Sequence, residues 1–209
     1  MQDTTGSAAG DLERAAEQQA IRLLQQGNIE GLETLVQAYQ VRAVHTAVLI
    51  THERQLAEDV VQDAYLQAYR KIAQFNERRP FGPWFLKIVI NAARKAAQRQ
   101  SRLVPYEDAE SDGAIAQWLR DPGKGPESLT EYAENRELLW QALGQLTPNQ
   151  RTAVVLRYFL DKNEREMMQA LGRPSTSIKW WLHEARQRLK RLLRPVGVSE
   201  REKEEVTHE

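Results

Sequence analysis

The sequence predicts an all-α protein of two helical domains joined by an acidic, flexible linker. Apolar residues recur at helical spacing over most of the chain, and no stretch alternates with the period of two that a half-buried strand requires. A block rich in proline, glycine and acids, residues 103–128, divides the helical pattern into two parts. A length of 209 residues with 41% hydrophobic content allows one or two domains, each with its own core. The expected division is a disordered N-terminus over 1–10, a helical bundle over 11–102, the linker, a helix-turn-helix domain over 129–194 and a polar tail over 195–209.

From Asp11 the run LERAAEQQAIRLLQQ is helical, and Gly27-Asn28 is a stop of the kind found at helix C-termini. The next helix begins near Ile29 and continues to about Ile50, with Leu32, Leu35, Val36, Tyr39, Val44 and Val48 as its stripe. Thr51-His52 reads as a turn or N-cap before a third helix. That helix places Ala57, Val61, Ala64, Tyr65, Ala68 and Ile72 on one side and Asp59, Gln62 and Asp63 together on the other. FNERRPFGPW is a punctuated, aromatic-bearing turn. From about Pro83 a fourth helix turns Trp84, Phe85, Ile88, Val89, Ala92 and Ala96 inward and Lys87, Asn91, Arg94, Lys95, Gln98 and Arg102 outward.

Between Arg78 and Arg102 every charged residue is Lys or Arg, although the formal net charge of the chain is zero. A basic helix beside an aromatic-bearing loop suggests a nucleic-acid surface. The linker carries six acids against Arg120 and Lys124, with three prolines and three glycines between residues 104 and 128. Trp118 is unusual for a tether and is expected to dock. Gly123-Lys124-Gly125 lacks the spacing of a phosphate-binding loop and no strand precedes it.

In the second block a helix over Tyr132 to Leu146 carries Leu138, Leu139, Ala142 and Leu143 on one side. Thr147-Pro148 starts the next, with Thr as N-cap and Pro in the first turn. Asn163 with Glu166 has the form of a capping box opening a short helix that Gly172 closes. The final helix runs from about Ser175 to Leu193. Its stripe is Ile178, Leu182, Ala185, Leu189 and Leu192, and its far side is Thr176, Lys179, Trp180, His183, Gln187 and Lys190. A short helix, a glycine turn and a longer basic helix are the parts of a helix-turn-helix.

The run AEDVVQDAYLQAYRKIAQF, followed by Phe81, Trp84, Ile88 and Asn91, resembles region two of the bacterial sigma-70 family in its extracytoplasmic function (ECF) branch. LTPNQRTAVVLRYFLDKNEREMMQALGRPSTSIKWWLHEARQRLKRLL is similar along its length to region four of the same family. The resemblance implies a sigma factor that binds core RNA polymerase and melts and recognises promoter DNA. By that resemblance Asp59, Gln62 and Asp63 meet the polymerase. Phe75, Asn76, Glu77, Arg78 and Arg79 form the loop that captures an extruded base, and Lys87, Asn91, Arg94 and Lys95 hold the melted strand. Arg157, Thr176, Lys179, Trp180, His183 and Gln187 read the upstream element as duplex. The family often pairs with an anti-sigma factor, and its linker threads a basic channel of the polymerase.

Departures from the family pattern fall in the last helix, where Trp180, Trp181 and Glu184 replace a small residue and two arginines, and at Gly82-Pro83 ahead of Trp84. By angle Trp181 packs and Trp180 faces outward. The rival readings are an operator-binding regulator whose first domain senses or dimerises, and an enzyme. Against the enzyme, His45, His52, His183 and His208 are scattered without metal-ligand spacing. No metal, cofactor or catalytic residue is therefore expected. No cysteine is present and no apolar run approaches the roughly 18 to 20 residues of a membrane span, which fits a cytoplasmic protein with no membrane contact of its own.

Overall fold

The computed structural model describes residues 4–103 and 129–193. Among them lie eight α-helices: α1 (Thr4–Gln25), α2 (Glu30–Thr51), α3 (Arg54–Lys71), α4 (Phe81–Leu103), α5 (Leu129–Gly144), α6 (Pro148–Val154), α7 (Glu164–Leu171) and α8 (Ser175–Leu192). The first four form one bundle and the last four a second. No strand occurs among the described residues. The linker interior, Trp118 and the tail lie outside the described residues.

Within the first bundle the expected stripe of α3 is buried throughout, together with Val60. It packs on α2 and α4, where Tyr65 stacks on Phe85 with ring centroids 4.4 Å apart. Phe85 is fully buried, a burial that stabilises by about 1.5 to 3 kcal/mol. Gly82 lets α4 start against α2, because a Cβ there would lie 2.7 Å from Cε1 of Tyr39. The departure at Gly82-Pro83 therefore has a packing reason. Tyr39 in turn donates its hydroxyl to Glu17 of α1, whose other carboxylate oxygen accepts from the Phe81 amide at 3.3 Å. One acid thus ties α1, α2 and α4 together.

One boundary differs from expectation, and at Thr51-His52 it is the turn and not the N-cap that forms. α1 begins at Thr4, so residues 4–10 are helical rather than disordered; small residues such as Ala8 and Ala9 tolerate a helix that the following amphipathic turns propagate. Thr51 ends α2 and does not cap α3. Its hydroxyl donates back to the Ala47 carbonyl, while His52 follows at φ 62 and Glu53 is the N-cap.

In the second bundle both sequence caps form. Thr147 and Gln150 make a reciprocal capping box with Pro148 in the first turn, and Asn163 and Glu166 make another. Gly172 closes α7 in the left-handed region at φ 60, where a side chain costs about 1 kcal/mol. Beyond α6 the chain widens into a π-helical turn, Val155–Phe159, with the Leu160 amide bonding the Val155 carbonyl at 3.0 Å. That turn leaves Arg157, Tyr158 and Phe159 exposed. In α5 most of the expected side is buried: Ala142 and Leu143 are buried and Leu139 packs against the core, but Leu138 is exposed and Trp140 is buried in addition. Trp140 is drawn inward because it packs across to the first bundle, a partner that helical periodicity cannot reveal.

The two bundles lie against each other, and one apolar cluster runs through both. α6 packs on α2 and α4, and α7 packs on α4.

Candidate nucleic-acid interface

Four surfaces carry the residues singled out from the sequence. On α3, Asp59, Gln62 and Asp63 are all exposed, with Gln55 donating to Asp59 at 3.2 Å. The 3.6-residue repeat puts them opposite the buried stripe, and exposed Leu66 stands one turn further on. This is a compact acidic patch with an apolar neighbour, suited to a partner with basic and aliphatic side chains.

The loop after α3 is tied down from behind. Gln25 of α1 donates from Nε2 to the carbonyls of Ile72 and Phe75, at 3.0 and 2.9 Å. Asn76 accepts from the Arg78 amide at 3.0 Å, which shapes the turn. Asn76, Arg78 and Arg79 are exposed, and Glu77 faces Arg22 at 3.9 Å. Phe75 corrects the expectation. Its ring is buried against Phe81 and Trp84, with centroids 5.8 and 4.9 Å away, so it holds the loop to the core and offers no face for stacking.

On α4, Lys87, Lys95 and Arg102 are exposed as expected. Asn91, Arg94 and Gln98 are not: they lie under the second bundle. Asn91 donates to the Ala170 carbonyl at 2.8 Å, Arg94 Nη1 to Asn149 Oδ1 at 3.3 Å, and Gln98 to the same oxygen at 2.8 Å. Burial lowers the pKa of Arg94, and the Arg173 guanidinium lowers it further. Alternation of faces within one helix says nothing about a second bundle arriving on the polar side, so the sequence alone had no signal for this cover.

On α8 the far side is open. Thr176, Lys179, Trp180, His183 and Gln187 are exposed, whereas Trp181 is 8% exposed and packs with Ile178 and Ala185. Trp180, at 58%, has its ring in solvent. Lys179 leans back to Glu164 of α7 at 3.5 Å. The Ser175 hydroxyl, ahead of Lys179, holds the Glu164 carboxyl below its ordinary pKa. Arg157 is also exposed, and its Nη1 donates to the Lys162 carbonyl at 3.2 Å. Apart from the Lys179 pairing with Glu164, which ties α8 to α7, the outward row stands clear of the buried core among the described residues. Such a row on the second helix of a helix-turn-helix is the geometry that enters a major groove.

The family model described as Sigma-70 region 2 matches residues 35–103, and the one described as Sigma-70, region 4 matches residues 136–189. Together they span more than half of the chain. The chain belongs to the sigma-70 family. Curated relatives place it in the ECF branch. It is 26% identical over 189 residues to the RNA polymerase sigma-H factor of Pseudomonas aeruginosa, covering 88% of this chain and 97% of that one. It is 25% identical to the ECF RNA polymerase sigma-E factor of Haemophilus influenzae, covering 88% and 98%. To the ECF sigma factor SigW of Bacillus subtilis it is 26% identical, covering 83% and 95%.

Two solved structures share the fold. CnrH in complex with the cytosolic domain of CnrY aligns at TM-score 0.55 and 22% identity, over 85% of this chain and 97% of that one. The sigma factor RpoE in complex with the anti-sigma factor NepR, from Bartonella quintana, aligns at 0.55 and 21%, over 78% and 98%. The chain is therefore a sigma factor that directs promoter-specific initiation by RNA polymerase, and the operator-binding alternative is disfavoured. Sigma factors are generally not enzymes. Among the described residues no helix is long and apolar enough to cross a membrane.

Proposed function

We propose that this sigma factor engages core RNA polymerase through Asp59, Gln62 and Asp63, and captures a base of the downstream element in the loop Asn76–Arg79. The exposed Lys87 and Lys95 of α4 then hold the melted strand. α8 reads the upstream element as duplex with Thr176, Lys179, Trp180, His183 and Gln187, with Arg157 at its flank. Expelling a base costs a few kcal/mol of stacking, which the polar loop and the basic helix offset. The Trp180 ring reads a groove by apolar contact, for example with a thymine methyl, so target choice differs from that of family members with a small residue there. The protein works in the cytoplasm, where polymerase and promoter are, and an anti-sigma factor is the restraining partner.

The observation that carries this reading is the exposed row on α8, which sits on the second helix of a helix-turn-helix and takes no part in the core. Run-off transcription tests it: core polymerase with this protein is expected to initiate from discrete sites on genomic fragments where core alone does not. Absence of added initiation from every fragment would reject it.

A further inference from the structure

The loop Asn76–Arg79 is held at both ends by α1, a helix that lies ahead of the stretch matched to region two. At the near end Gln25 turns its side-chain amide to two main-chain carbonyls, Ile72 at 3.0 Å and Phe75 at 2.9 Å. A carbonyl only accepts, so both amide hydrogens of Gln25 are spent on this one segment. The Ile72 carbonyl also accepts from the Phe75 amide at 3.0 Å, which closes the 3-10 turn Ile72–Gln74 from which the loop departs. Gln25 thereby fixes the direction in which the chain leaves that turn.

At the far end Phe81 opens α4, and its amide is one of the donors that a helix start leaves without an intrahelical partner. Glu17, about two turns before Gln25 on α1, accepts it at 3.3 Å while its other oxygen holds the Tyr39 hydroxyl. Between these anchors Arg22 faces Glu77 across 3.9 Å, with both side chains about half in solvent, so that pair adds little. α1 is itself fixed, because Ile21 and Leu24 are buried in the bundle.

What lies between the anchors turns outward. Asn76, Arg78 and Arg79 are exposed, and Asn76 takes the Arg78 amide on its side chain and the Arg79 amide on its carbonyl, at 3.0 and 2.9 Å. An extruded base has already cost stacking energy, and a loop that had to be ordered on its arrival would bind it more weakly still.

We propose that α1 is the template of the base-capture loop and that Gln25 is its positioning residue. Gln25 touches no DNA; it holds two carbonyls so that Asn76, Arg78 and Arg79 stand in place before a base arrives. This rests on the reading of the loop as the capture site.

The test uses Gln25→Met in the full chain, which keeps the length of the side chain and suits a helix but has no hydrogen to donate. The variant is assembled with core polymerase on a promoter recovered by run-off transcription, and opening is followed by permanganate reactivity of unpaired thymines. Each base of the downstream element is replaced in turn by an abasic site, and Arg79→Ala serves as the loop variant.

With the native chain, one abasic position is expected to impair opening. Gln25→Met should lower opening about tenfold on the intact promoter, the loss expected when two hydrogen bonds that preset a binding conformation are removed. On the abasic promoter it should match the native chain, and its binding to core polymerase should be native on both. An equal fold loss on intact and abasic promoters would mean that Gln25 serves only the stability of the bundle, and would overturn the proposal. Native opening by Gln25→Met where Arg79→Ala is defective would also overturn it, with the capture reading left standing. If no abasic position affects the native chain and Arg79→Ala opens normally, the capture reading itself falls, and the role of Gln25 falls with it.

Discussion

Acidification should loosen the contact between the bundles at His52, whose ring stacks on that of Trp140 with centroids 3.7 Å apart. Burial is the main reason that His52 titrates at about 4 rather than 6.5, with the Arg151 cation lowering it further while the Trp140 carbonyl, its own backbone and Glu137 pull the other way. If the ring regains its ordinary value when the bundles part, the open form binds more protons than the closed one between those two values. Closure is then fully supported above about pH 6.5 and weakens as the pH falls towards about 4. Over the whole window the loss is on the order of 3 kcal/mol; from about pH 7.5 to about pH 5.5 it is about 1.3 kcal/mol, or roughly tenfold in the ratio of open to closed chain. The assay is small-angle scattering across that range, beside His52→Asn, which cannot titrate and tolerates the left-handed backbone at φ 62. His52→Asn should be open throughout and insensitive to pH. A native chain whose radius does not change over the range, or a variant that follows the same curve as the native chain, would refute the reasoning.

The adjacent tryptophans should separate stability from recognition. Trp181→Ala removes a buried ring and should cost about 3 to 5 kcal/mol in urea unfolding, whereas Trp180→Ala should stay within about 0.5 kcal/mol yet change which promoters are transcribed. Asp63→Lys should leave far-UV circular dichroism unchanged, because the side chain is exposed, while reducing co-purification with core polymerase; lost helicity would contradict that exposure. Asn163→Ala breaks the capping box of α7, whose two bonds measure 3.0 and 2.9 Å, and should lower stability by about 1 kcal/mol by thermal unfolding.

Much of this protein was legible from local pattern. The stripe of α3, the outward Asp59, Gln62 and Asp63, the Thr147 N-cap, the Asn163-Glu166 capping box, the Gly172 turn and the opposite fates of Trp180 and Trp181 follow from helical periodicity and cap chemistry, which act within a few residues. They therefore survive whatever the rest of the chain does. The start of α1 at Thr4 and the end of α2 at Thr51 were less legible, because small and polar residues at helix ends are decided by what the neighbouring turns propagate.

The sequence by itself thus determined the helices, their order and the faces each one turns away from its own bundle. Only the tertiary structure decided which of those outward faces meets water. Asn91, Arg94 and Gln98 look like solvent residues on any helical wheel. They are covered because a second bundle, far along the chain, lies across the first. A contact made across such a span depends on the shapes of two finished surfaces, and no short-range spacing in the chain records it.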